Sequence, residues 1–101
     1  MEFDQNTADF LAQEVRHIIQ NDSNYEVSTH LSDSHMDLTV QDGVTDQARG
    51  VILRFSRAFL QQTDRLAALE ALDQHLRYAL QEGLQDAESG QYPVMDIPAV
   101  Q

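Results

Sequence analysis

The sequence predicts an α+β fold with element order α-β-β-α-α, in which an antiparallel hairpin packs against helices. Three observations predict it. Residues 25–41 alternate apolar and polar side chains in two successive runs, the signature of half-buried strands. The segments on either side place apolar residues at helical spacing. The 101 residues are 42% hydrophobic and 23% charged, an ordinary globular composition that argues against global disorder.

The first element is a helix over about 7–20. Asn6 or Thr7 can cap it, and Asp9 falls in its first turn, where the helix dipole favours a negative charge. Phe10, Leu11, Val15, Ile18 and Ile19 share one face, and Phe3 is placed to pack back on it. Asn21-Asp22-Ser23-Asn24 breaks the pattern.

Two strands follow. Tyr25, Val27, Thr29 and Leu31 alternate with Glu26, Ser28 and His30; Met36, Leu38 and Val40 alternate with Asp37, Thr39 and Gln41. Ser32-Asp33-Ser34-His35 is a four-residue hairpin loop. It sets Leu31 opposite Met36, Thr29 opposite Leu38 and Val27 opposite Val40, so one face is apolar. Asp42-Gly43 closes the second strand.

A second helix is expected over about 46–62, with Thr45 as cap and Ala48, Val51, Ile52, Phe55 and Phe59 as its apolar stripe. Leu53 and Leu60 widen the buried face. Gly50 is unfavourable in a helix by ~1 kcal/mol relative to Ala, so it marks close packing. Thr63-Asp64 caps a third helix running from 64 to about 88, lined by Leu66, Leu69, Leu72, Leu76, Leu80 and Leu84. Gly90 suits its end. Residues 1–90 form the domain and 91–101 an extended tail. Residues 92–97 of that tail offer a short strand, confined by Pro93 and Pro98 to an edge.

The formal net charge is −11, from seventeen acidic residues against six arginines and no lysine. Residues 1–44 hold nine carboxylates and one arginine, net −8; the rest hold eight and five, net −3. Such a field repels phosphates and anionic membranes and favours cationic protein partners. Neither direct nucleic-acid binding nor membrane association is expected. The start, Met1-Glu2-Phe3-Asp4-Gln5, is acidic and lacks a cationic and apolar leader pattern, so a cytoplasmic location is expected. There is no cysteine, which removes disulfides and thiolate chemistry.

No residue pattern identifies a reaction. The four glycines are dispersed and form no phosphate loop. His17 and His75 have no triad partner placed by sequence. His30, Asp33, His35 and Asp37 are ligand-competent residue types, but their spacing matches no established metal site, and surface roles are expected. No enzymatic activity, catalytic residue, cofactor or metal is accordingly expected.

Two surfaces stand out as candidates for interaction. One is the leucine row Leu66, Leu69, Leu76, Leu80 and Leu84 on the third helix. With Leu72 included, the spacings of 3, 3, 4, 4 and 4 fit an ordinary helix better than a strict heptad, and the row suits a core face or a seam for a partner. The other is the acidic hairpin with Glu26, Asp33, Asp37 and Asp42, facing the question of whether Arg49, Arg54 and Arg57 neutralise it. A two-stranded hairpin has open edges and little stability alone, and a homodimer would bury the apolar surplus. In gross character alone (size, acidity, mixed order) the chain resembles small acidic secretion chaperones and antitoxin or immunity proteins. The expected function is a small acidic, non-catalytic interaction module of adaptor, chaperone or inhibitor type, homodimeric, with a protein partner. The alternatives are an acidic nucleic-acid mimic and a small metal-binding or enzymatic domain built on the His/Asp hairpin.

Overall fold

The computed structural model describes residues 2–19, 25–42, 49–83, 85–86 and 92–97. The fold is α+β, built on an antiparallel hairpin, as predicted. The elements are α1 (Gln5–Ile18), β1 (Tyr25–Leu31), β2 (His35–Asp42), β3 (Arg49–Ser56), α2 (Arg57–Gln62), α3 (Arg65–Glu82), β4 (Gln85–Asp86) and β5 (Val94–Ile97). The sheet runs β1-β2-β3, with β4 antiparallel and β5 parallel to β3 along its far edge.

The hairpin register is the predicted one: Val27 faces Val40, Thr29 faces Leu38 and Leu31 faces Met36. The predicted helix over 46–62 is corrected. Residues Arg49–Ser56 are a strand, and only Arg57–Gln62 is helical. Val51, Leu53 and Phe55 face the core in alternation with Ile52 and Arg54, which are half-buried. A short apolar run satisfies both periods, and its β-branched Val51-Ile52 pair and pairing to β2 decide for the strand. Ser56, read as a helix-interior residue, is the cap of α2: its hydroxyl accepts from the Phe59 amide at 3.1 Å. Thr45 lies outside the described residues.

Helix α1 starts earlier than expected. Asp4, not Asn6 or Thr7, is the cap, accepting from the Thr7 amide at 2.9 Å. Thr7 is buried and donates its hydroxyl to the Glu2 carbonyl at 2.6 Å. Asp9 is thereby past the first turn and accepts from Gln5 Nε2 instead. The break at Thr63-Asp64 is as predicted, with Asp64 accepting from the Ala67 amide at 2.8 Å. Helix α3 ends at Gly83 rather than near Gly90, which lies outside the described residues. Gly83 has φ +91°, a left-handed value that a β-carbon disfavours.

One sheet face carries the core. Met36, Leu38, Val40, Leu53, Phe55 and Ile97 are buried against Leu11 and Val15 of α1 and Leu72 and Leu76 of α3. Helix α3 joins α1 as cover. Phe3 is half-buried against this core, with the Arg57 guanidinium 5.1 Å above its ring. No helix among the described residues is long and apolar enough to cross a membrane.

Candidate functional site

Strand β5 reaches the sheet through a hydrogen bond from the Ile52 amide to the Pro93 carbonyl, 2.9 Å. It then runs parallel to β3, with Met95 level with Leu53 and Ile97 with Phe55. Tyr92, just before it, lies over Gly50, and its hydroxyl meets Gln41 Oε1 at 3.1 Å. Gly50 is required by this packing. A β-carbon there would lie 2.6 Å from the Val40 carbonyl oxygen and 3.0 Å from the Tyr92 ring. The close packing expected of Gly50 is present, but in a strand.

Beside β5, the last turns of α3 leave a cleft of about 230 Å³. Val51, Tyr78, Ala79, Pro93, Val94 and Met95 supply its apolar walls, and Glu82 its carboxylate. Tyr78 is 58% and Val94 44% exposed. Together with Leu66 they are the large apolar side chains left most open among the described residues.

The leucine row of α3 divides. Leu76 is fully buried with Leu72, so it belongs to the core and is unavailable to a partner. Leu69 and Leu80 are half-buried against the core edge. Leu66 is 67% exposed. Leu84 lies outside the described residues. The row was legible as helix; which leucines face outward depends on where α1 and the sheet pack.

The acidic hairpin also divides. Asp37 is buried and held by Arg54, whose Nε and Nη2 donate to its two oxygens at 2.9 and 3.1 Å. That geometry holds the Arg54 guanidinium above its ordinary pKa. Asp37 was expected on an open surface and is instead largely enclosed. Glu26 stays exposed and accepts from Gln41 at 3.1 Å. Asp33 sits in the exposed loop, where its carbonyl accepts from Arg57 at 3.0 Å. Strand pairing sets Asp42 opposite Arg49 in register; nothing is described of the Asp42 side chain. Glu26, Asp33 and Asp37 therefore make no phosphate-like row.

His35 Nε2 lies 3.6 Å from Asp37 Oδ2, and its Nδ1 lies 3.1 Å from Ser34 Oγ. His30 is level with Asp37 in register but exposed. No three metal-competent side chains converge among the described residues. His75 bonds the Ala71 carbonyl one turn back, at 2.7 Å, a local role.

The cleft residues were missed as a set in the sequence. The tail segment 92–97 stood out as a short edge strand, but Tyr78 did not stand out, because its leucine neighbours define the helix pattern. No family model, no curated protein and no solved structure matches the chain.

Proposed function

We propose that the chain is a non-catalytic protein-interaction module of the adaptor, chaperone or inhibitor type, and that it docks its partner in the cleft between α3 and β5. One observation carries this reading. Tyr78 and Val94 line the same cleft and remain 58% and 44% exposed while Leu76 and Ala79 on the same helix as Tyr78 are buried. Apolar side chains left open around a concavity are where a partner's apolar group gains most from leaving water.

The cleft volume suits one or two side chains rather than a large ligand. Glu82 in its wall and exposed Asp96 on β5 add to a net charge of −11. The matching partner segment carries an apolar anchor flanked by Arg or Lys, drawn in by the acidic field. The adjoining β5 is short, so the cleft and not strand addition supplies the grip.

The test is affinity capture from native cells with the wild-type chain and with a Tyr78→Ser/Val94→Ser variant, read by quantitative mass spectrometry. A protein retained by the first and lost by the second supports the reading. Identical captured sets from two equally folded baits would sink it.

A further inference from the structure

A second flank of α3 has a different geometry. Leu66 and Tyr78 are twelve positions apart, which sets them about a third of a turn from each other around the helix. The Leu66 flank therefore does not belong to the cleft. Along it run Leu66, Leu69, Asp73, Arg77 and Leu80, at steps of three, four, four and three residues. Leu66 is exposed, and Leu69 and Leu80 are half-buried. Arg77 Nε donates to Asp73 Oδ1 at 2.7 Å, and this pair keeps 66% and 40% of its side-chain surface in solvent.

We infer that this flank is a self-complementary seam, and that its occupant is a second copy of the chain in antiparallel register. The inference rests on the reading of the protein as an interaction module and names a further partner. A two-fold axis midway between Asp73 and Arg77 sets Asp73 of one copy level with Arg77 of the other, and the reverse. At about 1.5 Å of rise per residue, the same axis brings Leu69 of one copy within one residue step of Leu80 of the other. Apolar meets apolar and each charge meets its opposite, with the intrahelical pair becoming a four-charge network. Helix α3 suits this role in a strongly acidic chain: its two arginines against three carboxylates leave only −1 across Arg65–Glu82. Two copies approaching here meet less repulsion than at the acidic hairpin.

The two charges can be tested separately. Asp73→Arg places two cations on the seam and Arg77→Asp places two carboxylates there. Each homodimer then sets like charges face to face, whereas a mixture sets opposite charges face to face. Sedimentation equilibrium of the full chain at about 100 µM is expected to give a dimer for the wild type and a dissociation constant raised at least about tenfold for each variant. The equimolar mixture is expected to recover the dimer mass. Leu66→Ser is expected to weaken the wild-type dimer with an unchanged circular dichroism spectrum. A monomeric wild type, a dimer indifferent to both charge variants, or a mixture that stays monomeric would each overturn the seam. The capture experiment with the Tyr78→Ser/Val94→Ser variant reads the cleft alone, so a failed seam and a failed cleft give different results.

Discussion

Asp37 on β2 and Arg54 on β3 stand directly opposite one another, and the guanidinium holds both carboxylate oxygens at 2.9 and 3.1 Å. One of the hairpin carboxylates offered as an interaction surface is thus held in an intramolecular ion pair. Arg54→Ala leaves a nearly enclosed carboxylate without its counter-charge. A fully buried pair broken this way loses about 3–5 kcal/mol. Arg54 keeps 35% of its side chain in solvent, so the expected loss is about 2 kcal/mol. Urea unfolding of the variant measures it. Asp37→Asn, which keeps acceptor and shape, is expected to lose less.

Gly50→Ala reports on β3 directly. In an exposed helix the change would stabilise by about 1 kcal/mol. In β3 the added carbon meets the Val40 carbonyl and the Tyr92 ring, so a destabilisation of about 1–3 kcal/mol is expected. The sign of the change in thermal midpoint separates strand from helix.

How legible the fold was depended on how many constraints each segment carried. The hairpin register followed from alternation and loop length together, and one slipped residue would have turned Leu38 and Val40 outward. Residues 49–56 carried a single weak constraint. Val51, Ile52 and Phe55 fit a helical stripe, and only their pairing partners in β2, 11 to 19 residues away in sequence, exclude it. Arg54 was already a candidate to neutralise the hairpin, but only the strand register shows that Asp37 is the carboxylate it faces. The cleft was least legible, because it joins Tyr78 to Val94 through a parallel strand contact no local pattern announces.

The leucines of α3 are expected to differ sharply. Leu72→Ala empties a fully buried site and should lose about 2–5 kcal/mol of stability. Leu66→Ala, at 67% exposure, should change the stability of the dissociated protein by less than about 0.5 kcal/mol. Chemical denaturation at low protein concentration checks both.

The cap of α1 carries a pH dependence. The Thr7 amide holds the Asp4 carboxyl below its ordinary value of 3.8. A lowered folded-state pKa adds stability that is present above the unfolded value and is lost as pH falls through the folded one. Asp4→Asn is therefore expected to be less stable than wild type at pH 7, with the difference shrinking below about pH 4. Denaturation curves at the two ends of that range test the sign.

The central claim is that a protein partner docks between α3 and β5. Hydrogen exchange of the chain, alone and bound to the captured partner, tests it most directly. Protection is expected at residues 77–83 and 94–97, with little change across the hairpin at 25–42. Protection confined to the hairpin, with the cleft residues exchanging as they do in the free chain, would contradict it.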